Sequence, residues 1–367
     1  IEYIGASEVL VRLALKPLKL LKKYPDLAAI AVLPIGQLLF VCVPSAAGLG
    51  LLLMASVFPI LTSLGVSRLS AVSVITACTA FGIGPASAIT ASAVQISGME
   101  SVPYFLNEQL PLVWPLTLVL MVSYYFVNRY FDKKEGVQED RRKTKEVVPV
   151  SAPAIYAIIP VLPLILLILF SGVIDIIPIA IKLDTSTAML ISFFIALVFE
   201  LIRTRKVKEV LASMKVYWRG MGAIFTTVVT LIIAADIFAK GLISLGFIDG
   251  LISLTQSAGL GVVGIGIVMT IMIFLASMLM GSGNASFFAF APLIPKIAVK
   301  FGVPSSSILL PMNLSASMGR TVSPVAGVLI ACAEIAGVSA VSIVKRNIIP
   351  FILALITMLI YHFGLCF

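Results

Sequence analysis

The 367-residue chain is 60% hydrophobic and 12% charged, with a mean hydropathy of +1.13, whereas a soluble domain carries roughly 25% charged residues. This excludes a soluble globular protein and points to one embedded in a lipid bilayer. The formal charge of +9 does not signal nucleic acid, because the basic residues lie in short loops beside apolar runs, where they set membrane orientation. Cys42, Cys78, Cys332 and Cys366 lie in or at the end of apolar segments without metal-ligand spacing and read as small apolar fillers. The sequence has no HExxH, no GxSxG and no metal-spaced cluster of His, Cys or carboxylates, so neither an enzyme nor a bound cofactor or metal is expected.

The apolar runs are continuous rather than alternating, which predicts an all-α polytopic membrane protein. Arg12, Lys16, Lys19, Lys22 and Lys23 place the first amphipathic segment on the inner side. A re-entrant hairpin follows over 27–66: Leu27 to Val43 rises, PSAAGLG turns, and Leu51 to Val66 descends to Arg68. Residues 69–97 cross outward with a break at GIGPAS, and Leu110 to Phe126 returns, completing a first unit over 1–131. The linker 132–150 holds Lys133, Lys134, Arg141, Arg142, Lys143 and Lys145 and is expected on the cytoplasmic side.

The second unit, 151–367, opens with expected spans over Ala154 to Phe170, Thr187 to Leu201 and Met221 to Leu242, with Arg203, Arg205, Lys206, Lys208 and Lys215 facing the cytoplasm. Asp249 to Ser257 reads as a short helix at the outer surface. A second hairpin over 261–300 has GSGN at its tip, and 306–337 crosses inward with a break at MGRTVSP, landing beside Lys345 and Arg346. The final helix runs back out.

The punctuation of the two units aligns: Gly65 with Gly302 and Gly82 with Gly319 at one spacing, then Pro85 with Pro324, Gly98 with Gly337 and Pro111 with Pro350 at another. With one hairpin open inward and the other outward, this predicts inverted repeats, and duplicated broken segments point to a transporter's binding site. YIGASEVLV resembles SLGFIDGLI, yet only four residues precede Gly5. The first repeat is therefore expected to lack about 90 residues, enough for two or three helices, and the sequence to be part of a longer chain.

Breaks rich in Gly, Ser and Pro survive at membrane depth only where they line a cavity or protein interior. Helix ends at a hairpin tip expose N–H groups that bind carboxylates. Ser45, Ala46 and Gly48 at the first tip, and Ser282, Gly283, Asn284 and Ser286 at the second, let backbone approach a ligand. Close helix packing explains any single such cluster, but four at matching positions favour a site. Arg320 is the one charge between Phe301 and Ala333, and a charge at mid-membrane costs about 2.5–3.5 kcal/mol on insertion scales. A carboxylate substrate would match its guanidinium; the alternative is a structural arginine that holds carbonyls freed by the break or pairs with Glu334 or Asp236. Thr321 and Ser323 join it as candidate substrate ligands. Asn313, Ser317, Thr79, Ser87 and Asp236 are candidates for ion or proton coupling, Asp236 through burial that raises its pKa. The first break has no matching cation, because Ile83 stands opposite Arg320. An anion channel is the competing class.

At YIGASEVLVRLALKPL, SAAGLGLLLMASVFPIL, VNRYFDKKE, YWRGMGAIF, GSGNASFFAFAPLIPKIA and GRTVSPVAGV the chain resembles the DcuC-type anaerobic C4-dicarboxylate transporter family of the ion transporter superfamily. The resemblance implies a multi-pass protein of the bacterial inner membrane, a homodimer with elevator-type movement, and exchange or cation-coupled transport of succinate, fumarate or malate. The alternative substrates within that superfamily are other small carboxylates or amino acids. The tip sequences depart from the Ser-Asn-Thr motif of the sodium-coupled branch, leaving Na+ and H+ both open as coupling ions.

Overall fold

The computed structural model describes residues 3–21, 23–135, 152–171, 183–257 and 259–365; Ile1, Lys22, the linker stretch 136–150 and Cys366 lie outside them. Among the described residues there is no strand, and seven helices are long and apolar enough to span a bilayer. The chain is a multi-pass, all-helical membrane protein.

After α1 (Ala6–Ala14) the chain forms a helical pair, α2 (Pro25–Cys42) and α3 (Ala46–Ser63). Pro25 opens α2 where its missing N–H costs nothing. Pro44 disfavours helical geometry at Val43, so the chain turns and restarts at Ser45, whose Oγ accepts the Gly48 N–H at 3.1 Å and caps α3. Ser67 caps α4 (Arg68–Ala77) in the same way; an unwound stretch then leads to α5 (Ala88–Ser97). Helix α6 (Ser101–Glu135) carries a π-helical segment at Tyr104–Gln109. It runs past Phe131, so Asp132 to Glu135, expected in the linker, are helical.

The continuous span expected over Ala154 to Phe170 is absent: a 3-10 turn at Ala154–Ile158 is separated from α7 (Leu162–Leu169). Pro160 and Pro163 lie at this junction, each without an N–H for a continuous helical ladder. Asp184 caps α8 (Thr185–Thr204) through the Thr187 N–H at 3.1 Å, and this bonding holds its carboxyl below the usual range. Helices α9 (Val207–Ser244) and α10 (Phe247–Ser257) precede a second helical pair, α11 (Gly261–Met280) with α12 (Gly283–Phe290), and α12 continues through a 3-10 turn into α13 (Ile294–Phe301). The second broken helix is α14 (Ser305–Thr321) plus α15 (Gly327–Ala336), followed by α16 (Ala340–Leu365).

Helix α14 forms the centre, buried nearly all round and packed chiefly on α11, while α6 packs along α16. The α8–α9 region lies at the periphery: only 6% of the apolar window of Val207–Ser244 is buried, against 56% for Pro25–Cys42. At one end of the bundle Arg346 is fully buried and donates to Asp132 Oδ1 at 2.6 Å, Ser70 Oγ at 2.7 Å and Glu135 Oε2 at 2.7 Å. Asp132 also accepts from Ser67 Oγ at 2.7 Å, so one knot ties the starts of α4 and α16 to the end of α6. Near the other end of α16, His362 Nε2 lies 2.6 Å from the Ser307 carbonyl at the start of α14.

Replacing Arg346 leaves two carboxylates facing each other without their cation. Because Asp132 and Glu135 side chains are 28% and 39% exposed, Arg346→Met is expected to cost less than the roughly 3–5 kcal/mol of a fully buried broken pair. Thermal unfolding in detergent should show a lower Tm, and adding Asp132→Asn with Glu135→Gln should recover part of it.

Candidate functional site

The two broken helices meet in the middle of the bundle. Ser317 Oγ on α14 accepts the Gly82 N–H at 3.1 Å, and Arg320 Nη2 donates to the Thr79 carbonyl. The helical pairs approach from either side. Gly84 lies so close to α2 that a Cβ there would sit 2.8 Å from Val41 Cγ1, and Gly50 on α3 faces Val328 of α15 at 2.6 Å by the same measure. At the second tip, a Cβ on Gly281 would lie 2.9 Å from the Val325 carbonyl oxygen, and one on Gly283 would lie 2.8 Å from that of Ala316. Backbone against backbone at these distances explains why the tip is GSGN.

The first break is the longer. Helix α4 stops at Ala77 and α5 begins at Ala88, whereas α14 runs to Thr321 and α15 resumes at Gly327. Gly84 adopts φ 94° and Pro85 has no N–H, so GIGPAS cannot hold a helix. Its polar groups are nevertheless engaged internally. Ser87 Oγ and Thr90 Oγ1 donate to the Gly82 carbonyl at 3.1 and 3.3 Å, and Thr79 Oγ1 donates to the Thr76 carbonyl at 3.0 Å.

The second break and the tips keep unused capacity. Arg320 Nη1 is shielded from solvent without a hydrogen-bond partner, and among the described residues no carboxylate lies within 4.0 Å of its guanidinium. Glu334 is exposed and does not pair with it. Asn313, one residue type expected in ion coupling, is wholly buried, and neither end of its amide has a partner. Asn313, Ser317 and Arg320 follow a four-then-three spacing on α14, so they share the face turned toward the first break. Thr321 Oγ1 donates to the Ser317 carbonyl at 3.0 Å, and Ser323 Oγ accepts the Val325 N–H at 3.3 Å. Ser45 and Ser282 both serve as helix caps, Ser282 accepting from the Ala285 N–H at 3.2 Å; Ala46 and Gly48 are half-buried beside the first. Asn284 is half-buried, and its side chain has no hydrogen bond among the described residues. Asp236 does not join this group: its side chain is 49% exposed and pairs with Lys240 at 2.7 Å.

Two fully buried carboxamides at the breaks escaped the sequence reading. Gln109 on the π-helical segment accepts the Gly84 N–H at 3.0 Å and donates to Thr90 Oγ1 at 2.9 Å. Asn347 on α16 donates to the Thr321 carbonyl at 3.0 Å and Thr76 Oγ1 at 3.1 Å, and accepts from Tyr124 OH at 2.9 Å. The available signal was an amide two or three residues before each of the aligned prolines Pro111 and Pro350. Chemically, the site offers a desolvated guanidinium arm, an unused amide and two capped helix N-termini, a donor-rich set suited to an anion.

The family profile described as "C4-dicarboxylate anaerobic carrier" matches residues 1–366. The chain belongs to the DcuC family. It is 35% identical over 358 residues to the anaerobic C4-dicarboxylate transporter DcuC of Escherichia coli K12, covering 98% of this chain and 76% of that protein. It is 36% identical over 359 residues to a probable anaerobic C4-dicarboxylate transporter DcuC of Vibrio cholerae, covering 98% and 77%. A putative uncharacterised transporter of Haemophilus influenzae is 32% identical over 209 residues, covering 56% and 72%. DcuC relatives are named as transporters, in line with the expectation that this chain moves a solute rather than catalysing a reaction.

Gly283→Ala sets a methyl group against the Ala316 carbonyl, which cannot swing aside as a flexible side chain would. It is expected to displace the tip from α14 and destabilise the protein by about 1–3 kcal/mol. A thermal melt of the purified variant would register this as a lower Tm, while Gly302→Ala, in open space but at φ 67°, should show only the smaller backbone penalty.

Proposed function

We propose that this chain is a secondary active transporter of C4-dicarboxylates such as succinate, fumarate and malate, working by exchange or by coupling to H+ or Na+. The observation that carries the reading is Arg320: one arm braces the first break through Thr79, and the other is buried, cationic and unpartnered. An anion is the group that such an arm lacks. DcuC family membership supplies the dicarboxylate class. Arg320, Thr321, Ser323 and the tip residues Ser45, Ala46, Gly48, Ser282, Gly283 and Asn284 would bind substrate; Asn313, Ser317, Thr79 and Ser87 are retained as candidates for coupling.

The same proposal includes two inverted repeats, 1–131 and 151–367, joined by a cytoplasmic linker, and elevator-type movement of hairpins and broken helices in a homodimer of the bacterial inner membrane. Local geometry supports the repeats. Ser45 and Ser282 share the spacing that relates Gly65 to Gly302, and each caps its helix through the N–H three residues on. Gly98 and Gly337 end α5 and α15 with φ of 71° and 67°. The exposed apolar face of α8 and α9 suits lipid or a second copy.

The test is uptake of labelled succinate into proteoliposomes, with and without internal fumarate, at varied Na+ and pH. A carrier shows uptake stimulated by internal substrate; unstimulated flux through an open path would overturn this reading in favour of a channel. Arg320→Gln should raise the KM for succinate by about tenfold or more, as expected for losing a charge-assisted hydrogen bond, and Arg320→Lys should recover part of it. Parental KM in both variants would remove Arg320 from the substrate site.

A further inference from the structure

We propose that Gln109 and Asn347 are paired positioning residues: each broken helix is held in its unwound shape by a neutral, fully buried carboxamide from the helix that follows it. The functional consequence rests on the transport reading above. The hydrogen bonds themselves do not.

Unwinding a helix inside a bilayer leaves N–H and C=O groups that water cannot satisfy. At the first break Ser317 and Arg320 take the Gly82 N–H and the Thr79 carbonyl, and two further groups fall to Gln109 and its partner Thr90. The Gly84 N–H belongs to a residue at φ 94°, outside any helical ladder, and it finds Gln109 Oε1 at 3.0 Å. The Gly82 carbonyl takes the Thr90 hydroxyl, and Gln109 Nε2 donates at 2.9 Å to the oxygen of that hydroxyl. One side chain thus spans the break from Gly84 to Thr90, across Pro85, which has no N–H to offer. At the second break Asn347 Nδ2 donates to the Thr321 carbonyl at 3.0 Å and also to Thr76 Oγ1 at 3.1 Å, so it links the last turn of α14 to α4. Both carboxamides are 0% exposed.

The backbone around Gln109 is shaped to deliver it. The π-helical segment Tyr104–Gln109 inserts an extra residue into α6, which turns the following side chains by about 100° relative to an uninterrupted helix. The carboxamide is also the chemistry the place requires. It donates and accepts at once, and it adds no charge beside Arg320. A carboxylate would compete with an anionic ligand for the guanidinium, and a lysine or arginine could not accept the Gly84 N–H.

Gln109→Met keeps the volume and removes both bonds. In the reconstituted full chain, hydrogen exchange across residues 79–90 should accelerate by about tenfold, the effect of losing one buried hydrogen bond, with little change across α11. The KM for succinate should rise severalfold while the maximal rate stays within about twofold, because the wall facing Arg320 loses its shape. Gln109→Glu, which in its neutral form offers the same donor and acceptor, should restore both readouts toward the parent at acidic pH. Should the Met variant fail to fold, Thr90→Val removes one end of the clasp and is expected to give a smaller shift in the same direction. Asn347→Leu should accelerate exchange near Thr321 instead. Unchanged exchange across 79–90 would overturn the clasp, and accelerated exchange with a parental KM would overturn its positioning role. If the parent carries no succinate, the exchange data still decide the clasp while the transport reading fails separately.

Discussion

The two broken helices are held against each other by a guanidinium that is only partly engaged. Arg320 sits where a guanidinium is expensive, and the protein offsets only part of that cost with the Thr79 carbonyl. The second arm stays buried and unpartnered. An asymmetric arrangement follows, because the carbonyl belongs to the first broken helix and the arginine to the second. The contact holds the two breaks together and leaves one of them electrostatically incomplete, and in the proposed cycle a carboxylate completes it.

Around that cation the breaks have unequal characters. In the first, the Thr79, Gly82 and Gly84 backbone groups and the Ser87 and Thr90 hydroxyls are engaged with one another or with Gln109, Ser317 and Arg320. It behaves as a preformed wall. In the second, Arg320 and Asn313 retain unused polar atoms, and the GSGN tip packs on the backbone of Ala316 and Val325 because its glycines permit that approach. Preorganised dipoles on one side and free donors on the other suit a ligand that must be held firmly enough to bind and loosely enough to leave.

The Arg346 knot is the structural counterpart. Here both terminal nitrogens of the guanidinium are engaged, by two carboxylates and a serine hydroxyl drawn from α4 and α6, and only Nε is without a partner. The Arg346 ion pairs join α16 to α6, whereas Arg320 keeps one buried arm without a partner. The two arginines lie only 26 positions apart in the chain and differ in role because of what the rest of the fold places opposite them.

Hydropathy, charge placement and the Gly/Pro punctuation by themselves determined an all-helical, multi-pass protein with two broken helices, because backbone satisfaction in lipid leaves few alternatives and helix breakers are local. They also singled out Arg320, whose isolation in an apolar run is visible without a structure. The span over Ala154 to Phe170 was misjudged because mean hydropathy does not register the missing N–H groups of Pro160 and Pro163. Asp236 was misjudged because its partner Lys240 and its exposure depend on which face of α9 turns outward. Only the tertiary structure decided that Thr79, Ser87 and Thr90 are already bonded within the first break, that Gln109 and Asn347 reach across to hold the two breaks, and that Arg320 has one arm engaged and one free. The Asn347 and Arg320 bonds join segments far apart in the chain, those within the first break depend on how the unwound stretch folds, and a residue's spare hydrogen-bonding capacity exists only once its neighbours in space are set.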